Sequence, residues 1–481
     1  MSEITKLEPK ALWEIFDSIT KVPRPSKREA KIIAYLEDFA RSHGLEYHKD
    51  NAGNIVIIKE ATPTMKERPT VVLQSHMDMV CEKNSDLEFD FDRDPIQTYI
   101  SDGWVRARGT TLGADDGIGM ATALAVVTDN TIEHPRIEAL FTVDEETGLT
   151  GAFNLGKDML TGRYLINLDS EDDGEIFIGC AGGIDTVATF TYTPEPVPAG
   201  LEWFRITLSG LKGGHSGDNI NDGLGNSNKL MSTVLLNSAE GLRLSRFDGG
   251  NLRNAIPREA YAIVGVPTAN VEKFKASVTK FAHEFASSLS STDPGVKLEI
   301  APAETPSSVI DLNTQKNLLE SVQDVLNGVI AMSKTIDDLV ETSTNLASVK
   351  FTDGNHIVVT SSQRSSVESA KHNAAAAVGG TFERAGAKVE HSEGYPGWEP
   401  NTSSRLLKVA ADCYSKLFGS EPKVKAIHAG LECGLFLEKY PDLEMISVGP
   451  TLRGVHSPEE RLEIATVDKF WKWITEILRN I

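Results

Sequence analysis

The chain has 481 residues, of which 40% are hydrophobic and 24% charged, as is usual for folded globular proteins. Its formal net charge of −21 repels phosphate backbones and anionic lipids, so we expect neither a nucleic-acid partner nor a membrane partner. The four scattered cysteines form no CxxC pair, no run approaches roughly 18 apolar residues, and MSEITKLEPKALWEIF lacks the features of a secretory signal, which together predict a cytoplasmic protein.

The first part of the chain has the pattern of an α/β sheet covered by helices. Two amphipathic helices come first; Ser26-x-x-Glu29 predicts a capping box that opens the second helix, and Gly44 predicts its end. Short apolar runs, typical of strands buried on both faces, then alternate with helices. The predicted strands are Asn54–Ile58, Thr70–Gln74, Ile137–Val143, Tyr164–Leu168 and Met445–Val448, and the predicted helices that accompany them are Gly117–Thr128, Ser404–Phe418 and Ala465–Leu478.

The middle of the chain has longer β runs joined by two clear helices. The predicted elements there are the strands Trp203–Ser209, Ala260–Val266 and His356–Thr360 and the helices Val271–Ser288 and Thr314–Asn327. The Pro- and Gly-rich segments Thr193–Gly200 and Glu393–Pro400 are interpreted as joints. We therefore predict a discontinuous α/β domain, residues 1–182 and 399–481, interrupted by an inserted α+β domain, residues 183–398.

Polar side chains follow the predicted strands where each strand ends. His76 follows the run VVLQS, Asp115 opens the apolar helix, Glu145 and Glu146 follow the third strand, and Asp169 follows the fourth. Taken alone, each has an ordinary explanation: a histidine whose ring nitrogens are hydrogen-bonded, a helix N-cap, or a turn exposed to solvent. Together they lie at the edge where sites form in open α/β sheets.

A metal centre explains this grouping. With His456 from the polar loop LRGVHSPEE, the set has two imidazoles and three carboxylates, which suits zinc, with manganese or cobalt as substitutes. Two metal ions need one shared carboxylate and two further ligands each, and five ligands satisfy that count. Glu145, next to Glu146, is then the candidate that takes a proton from a water molecule, and Asp78 can orient His76 through its second ring nitrogen.

The motifs HMD, GADDG and DEETG and the late His456 resemble those of the co-catalytic zinc exopeptidases, a family that includes carboxypeptidase G-type enzymes, aminoacylases, tripeptidase T and carnosinases. The longer forms VLQSHMDMVCEKN, GTTLGADDGIGMA, FTVDEETGLTGA, INLDSED, LKGGHSGDNI, RNAIPREA and HAGLECG are similar to those of bacterial dipeptidases in this family. The resemblance implies two Zn²⁺ ions per chain, hydrolysis of dipeptides, Xaa-His dipeptides among them, and a homodimer in which the inserted domain serves as a lid and as the dimerisation domain.

The resemblance also implies roles for single residues. The implied metal ligands are His76 and Asp169 for one zinc, Glu146 and His456 for the other, and Asp115 as the bridge. In the inserted domain, His215 would stabilise the oxyanion and Arg364 would bind the C-terminal carboxylate of the substrate, which a guanidinium can do through two hydrogen bonds. Asn254 would contact the substrate, and Glu432 in HAGLECG has no expected role.

Other functions remain open from the sequence. The same metal core would serve a deacylase acting on N-acyl amino acids or an aminopeptidase acting on tripeptides, because the fold does not choose among these reactions. A binding or scaffolding protein that keeps the fold without the metals is an alternative of another class. The intact ligand set and the intact Glu145 argue against that alternative.

Overall fold

The computed structural model describes residues 2–481, which form two compact units. Unit 1 contains the residues up to Gly179 together with Pro400–Ala426 and Leu431–Ile481, and unit 2 contains Cys180–Glu399 and Ile427–Gly430. The segment Thr193–Gly200, expected to be a joint, lies inside unit 2. Among the helices of residues 2–481, none combines the length and the apolar character needed to cross a membrane.

An eight-stranded sheet forms the centre of unit 1. Its four middle strands are parallel to one another, and antiparallel strands extend the sheet at both edges. Three of the middle strands are buried at every position, as expected when both faces of a sheet are covered. In spatial order the strands are β1 Glu46–Lys49, β2 Ile55–Lys59, β6 Ile137–Thr142, β3 Val71–His76, β7 Tyr164–Asn167, β23 Glu444–Ser447, β8 Glu175–Cys180 and β22 Lys423–Ile427.

Helices and a second, four-stranded antiparallel sheet complete unit 1. The helices are α1 Lys10–Ile19, α2 Ala30–Ser42, α3 Ala114–Thr128, α4 Glu145–Gly148, α5 Thr150–Asn154, α10 Arg405–Phe418, α11 Glu432–Lys439 and α12 Ile464–Asn480. The small sheet consists, in order, of β24 Leu452–Arg453, β25 Arg461–Glu463, β5 Trp104–Ala107 and β4 Thr98–Ser101. The apolar helix α3 lies almost entirely in the core, which places its first turn next to the ends of the sheet strands.

Unit 2 is built on a nine-stranded antiparallel sheet. In order its strands are β16 Lys297–Pro302, β11 Leu201–Ser209, β15 Ala260–Pro267, β13 Arg243–Gly249, β19 Val340–Thr352, β20 His356–Ser365, β9 Gly182–Thr191 and β21 Lys388–His391, with β18 Gly328–Met332 paired to β19. Two short pairs are β10 Pro194–Glu195 with β17 Val309–Ile310, and β12 Gly214–His215 with β14 Ala255–Ile256. The helices are α6 Ser227–Asn237, α7 Val271–Ser288, α8 Leu312–Asp324 and α9 Glu368–Arg384.

The predicted helices and strands are confirmed to within a few residues, so the mixed α/β fold class holds. The helix predicted at Thr314–Asn327 begins earlier, because the carboxylate of Asp311 accepts the N–H of Thr314 at 2.8 Å and caps α8. Gly44 follows the end of α2 with a φ of +67°, as predicted.

The capping box predicted at Ser26 and Glu29 was wrong. Helix α2 begins at Ala30 and no side chain caps it. The Ser26 hydroxyl instead donates to Asp78 Oδ2 at 2.7 Å, and Glu29 Oε1 accepts the N–H of Lys27 at 2.7 Å. Both side chains are therefore engaged outside the helix.

Helix α8 offers a matched test of the unit 2 core. Leu318 is 0% exposed and belongs to an apolar core cluster of unit 2, whereas Leu312 on the same helix is 57% exposed. We expect Leu318→Ala to lower the free energy of unfolding by about 2–5 kcal/mol, because it leaves a cavity, and Leu312→Ala to change it by less than about 0.5 kcal/mol. Urea unfolding followed by fluorescence measures both; equal losses would contradict this core assignment.

Candidate functional site

The candidate residues of unit 1 lie at one edge of its central sheet. His76 is the last residue of β3, Glu145 and Glu146 open α4 after β6, and Asp169 follows β7 by two residues. These three strands are neighbours and run parallel. Because parallel strands end at the same edge, polar residues that are far apart in sequence lie side by side.

The carboxylate of Asp115 lies between two imidazoles. Its Oδ1 is 2.9 Å from His76 Nε2, and its Oδ2 is 3.1 Å from His456 Nε2. Asp169 Oδ1 is 3.4 Å from His76 Nε2, and Glu146 Oε2 is 3.0 Å from His456 Nε2. The structure thus brings the five candidate ligands into two groups that share one carboxylate, with ligand atoms within 4.8 Å of one another: His76, Asp115 and Asp169, and Asp115, Glu146 and His456.

Glu145 lies next to both groups. Its carboxylate comes within 4.8 Å of ligand atoms of His76 and Glu146. Burial, together with the negative charges of Asp169, Glu432 and Glu146, holds the pKa of Glu145 well above its usual range, although the charge of His76 opposes the shift.

These residues fit a pair of divalent cations. Glu146 Oε1 is buried and has no hydrogen-bond partner among the described residues, and such an oxygen is costly unless a cation binds it. Burial, together with the negative charges of Asp115 and Glu146, raises the pKa of Asp169 to about 7, although the charge of His76 opposes the shift. Mixed imidazole and carboxylate ligands suit zinc or a similar transition metal.

Asp78 supports two parts of this arrangement at once. Its Oδ1 is 3.4 Å from His76 Nδ1 and also accepts the N–H of Glu145 at 3.0 Å. Its Oδ2 accepts the N–H of Glu146 at 3.3 Å and the hydroxyl of Ser26. Although burial opposes it, these hydrogen bonds and the charge of His76 lower the pKa of Asp78 to about 2. One ionised carboxylate therefore orients both an imidazole and the first turn of α4.

A hydrogen-bonded row of buried polar side chains links four neighbouring strands beside the candidates. Glu432 Oε2 accepts from Gln74 Nε2 at 2.7 Å and from the Thr142 hydroxyl at 2.9 Å. Gln74 Oε1 accepts from Asn167 Nδ2 at 2.6 Å, and Asn167 Oδ1 accepts from the Ser447 hydroxyl at 2.5 Å. Sequence reasoning missed this row; its signal was a polar residue at or near the end of each of these four strands.

The candidates of the inserted segment lie together in unit 2. Arg364 on β20 is buried; its Nη1 donates to the Tyr395 hydroxyl at 3.0 Å, and its Nη2 is 3.5 Å from His215 Nε2. Its Nε is 3.4 Å from the Ser216 hydroxyl, and the N–H of Ser216 donates to the carbonyl of Asn254 at 2.8 Å. The side chain of Asn254 is exposed.

His428 adds to this group of unit 2, and sequence reasoning missed it. Its Nε2 is 2.7 Å from the Ser343 hydroxyl. Burial and the charge of Arg364 lower its pKa to about 4, so the imidazole is neutral near pH 7. The carbonyl of His428 lies 2.2 Å from the position that a Cβ on Gly217 would take, so the loop after His215 requires glycine there. The signal was present in HAGLECG, which begins with His428.

Known proteins resemble this chain over its full length. The cytosol non-specific dipeptidase of Escherichia coli K12 is 43% identical over 486 residues, covering 100% of this chain and 99% of that protein. The structure of aminoacylhistidine dipeptidase from Vibrio alginolyticus superposes with a TM-score of 0.93 at 42% identity, covering 100% and 98%. Aminopeptidase PepT from Bacillus cereus gives a TM-score of 0.58 at 18% identity over 98% of both chains, which supports the fold alone.

A protein-family model agrees with these similarities. The model described as Peptidase family M20/M25/M40 matches residues 72–480, the stretch that contains every candidate residue named above except Ser26. The match includes most of unit 1 and the whole of unit 2. This chain therefore belongs to Peptidase family M20/M25/M40.

Proposed function

We propose that this peptidase hydrolyses free dipeptides, Xaa-His dipeptides among them, at a centre of two Zn²⁺ ions that Co²⁺ or Mn²⁺ can replace. One observation carries the proposal: the carboxylate of Asp115 lies within hydrogen-bond distance of both His76 and His456, with Glu145 beside them. The names of the relatives from Escherichia coli and Vibrio alginolyticus, a non-specific dipeptidase and an aminoacylhistidine dipeptidase, support this substrate class.

The five mixed ligands would hold the metal ions in two groups that share Asp115. His76 and Asp169 would complete one group, and Glu146 and His456 the other. When bound, two such ions supply Lewis acidity that polarises a carbonyl oxygen and lowers the pKa of a water molecule. Asp78 would keep His76 in the tautomer whose Nε2 faces the centre.

Glu145 is proposed as the general base and then the general acid. Its carboxylate takes one proton from the attacking water while a new C–O bond forms at the peptide carbonyl carbon. The C–N bond then breaks, and the same carboxyl group returns the proton to the leaving amine nitrogen. The products are two free amino acids, and Glu145 is ionised again at the end of the cycle.

Unit 2 is proposed to recognise the substrate. The buried guanidinium of Arg364 suits a bidentate hydrogen bond to the C-terminal carboxylate of a dipeptide. His215 would donate a hydrogen bond to the oxyanion that develops on the carbonyl oxygen, and Asn254 would contact the substrate.

We also propose that residues 183–398 act as a lid and as the dimerisation domain of a homodimer. The word cytosol in the name of the Escherichia coli relative supports a cytoplasmic location.

A substrate panel tests the proposed substrate class and metal dependence together. The panel contains Xaa-His dipeptides, other dipeptides, tripeptides and N-acetyl amino acids, assayed on chelated protein before and after Zn²⁺ is restored. We expect activity only with metal, and a kcat/KM for dipeptides at least about 100-fold above that for the longer and acylated substrates. Equal cleavage of tripeptides or of N-acetyl amino acids would instead identify an aminopeptidase or a deacylase.

The variant Arg364→Lys, assayed beside the wild type, tests whether Arg364 recognises the substrate carboxylate. Lysine keeps the positive charge but loses the planar pair of donors. We expect KM for a free dipeptide to rise about 10- to 100-fold, and hydrolysis of the corresponding dipeptide amide to change little, because the amide has no carboxylate to bind. The same loss on both substrates would argue against carboxylate recognition by Arg364.

Replacement of the proposed base separates catalysis from metal binding. Glutamine at position 145 keeps the size of the side chain but cannot accept the proton, so Glu145→Gln should lower kcat by about 10²–10⁴-fold with the metal content unchanged. Steady-state kinetics and elemental analysis measure the two quantities, and Glu67→Gln on the exposed surface serves as the control. A variant that keeps most of its kcat would rule out Glu145 as the base.

A further inference from the structure

Glu460 is a buried carboxylate outside the ligand set that holds the turn carrying Asp115. It is 2% exposed, and its two oxygens accept four consecutive backbone N–H groups. Oε2 accepts at 2.7 and 3.0 Å, and Oε1 at 2.7 and 3.3 Å; the donors are, in order, Leu112, Gly113, Ala114 and Asp115. Glu460 thus binds the backbone of the residue whose side chain lies between the two imidazoles.

The acceptor for these N–H groups comes from a distant part of the chain. Buried backbone N–H groups need a hydrogen-bond partner, since leaving one unpaired is costly. Gly113 has a φ of +68° and no side chain, and Asp115 and Asp116 do not have helical backbone angles, so the four N–H groups belong to a turn before the regular part of α3. The acceptor is Glu460, about 345 positions later in the chain.

Arg24 also binds this turn. Its side chain is 2% exposed, and its guanidinium donates to the carbonyl of Gly113 and to the carbonyls of Met77 and Asp78, the latter two at 3.2 and 2.6 Å. Met77 follows His76 at the end of β3. Arg24 therefore joins the strand end that carries one imidazole to the turn that carries the shared carboxylate.

Glu460 makes the corresponding connection to the other imidazole. It lies four residues after His456 in the loop between β24 and β25. Its hydrogen bonds to the α3 turn therefore join the loop of His456 to the turn of Asp115. With Arg24, three chain segments that carry His76, Asp115 and His456 are connected by two charged side chains that are not themselves candidate ligands.

We propose that Arg24 and Glu460 are positioning residues of the metal centre, which set the places of His76, Asp115 and His456 so that two cations can share one carboxylate. This inference rests on the proposed metal centre. Burying charged side chains seldom adds net stability, since apolar residues of similar volume often serve as well. A role in geometry explains why charged groups stand here, and it predicts an effect on metal binding beyond any effect on stability.

The test compares Glu460→Gln with a matched control, Glu138→Gln. Glu138 is 1% exposed and also accepts two backbone N–H groups, at 2.9 Å from Thr161 and 3.1 Å from Gly162, but it lies near the start of β6, whereas the centre lies beyond its end. For each protein we would measure the affinity for Zn²⁺ by competition with a chromophoric chelator, the visible absorption spectrum with Co²⁺, and the thermal unfolding of the metal-free form.

We expect Glu460→Gln to weaken Zn²⁺ binding about 10- to 100-fold and to change the Co²⁺ spectrum, because the glutamine amide group would face N–H donors. The control should lose stability in the metal-free form and keep the wild-type Zn²⁺ affinity. Wild-type affinity and spectrum in Glu460→Gln, or an affinity loss equal to that of Glu138→Gln, would overturn the inference.

Arg24→Lys provides a second variant in case Glu460→Gln does not fold. Lysine keeps the charge but cannot donate to three carbonyls in the geometry of the guanidinium, so the same weakening of Zn²⁺ binding is expected and wild-type binding would again overturn the inference. Different outcomes refute the proposed function and the role of these two residues. A wild-type protein that takes up no metal would refute the proposed function itself, whereas tight binding by both variants would refute only the role of Arg24 and Glu460.

Discussion

The carboxylate of Asp115 has to face His76 and His456 at once, and much of unit 1 is arranged around that requirement. Further carboxylates lie beside it, and buried negative charges are costly unless positive charge balances them. Burial and the acidic neighbours raise the pKa of Asp169, because both disfavour its ionised form. Divalent cations would relieve it, so the same crowding that opposes the bare arrangement favours metal binding.

Hydrogen bonds to neighbouring residues hold these side chains in place. Asp78 fixes an imidazole and the start of α4, and the row through Gln74 and Asn167 connects neighbouring strands just before they end. Buried polar networks of this kind favour one arrangement of their side chains, although Glu432 Oε1 in this row has no hydrogen-bond partner among the described residues. The buried strands are therefore apolar along most of their length and polar at the end where the site lies. The apolar part stabilises the fold, and the polar part sets the geometry of the site.

Local pattern was sufficient to predict five of the eight strands of the central sheet, its longer helices and the edge at which the candidates gather, because burial and strand ends leave a mark on neighbouring residues. Hydrogen bonds between residues that are far apart in the chain leave no such mark on the neighbouring residues. Ser26 has the sequence context of a helix cap, yet it donates to Asp78, 52 positions away. Glu460 is one acid among several in a polar loop, yet it binds the backbone of the turn before α3. Such partners are selected by tertiary packing, which a single sequence does not display.

The wide spacing of the ligand candidates has a consequence for biosynthesis. A growing chain emerges with its N-terminus first, so His76, Asp115 and Asp169 are all made before unit 2. His456 and the middle strand β23 are added only after unit 2 is complete. An unfinished or prematurely terminated chain therefore lacks both a strand from the centre of the sheet and one imidazole. The proposed ligand set is therefore complete only after the residues of unit 2 have been made, although its members meet within unit 1.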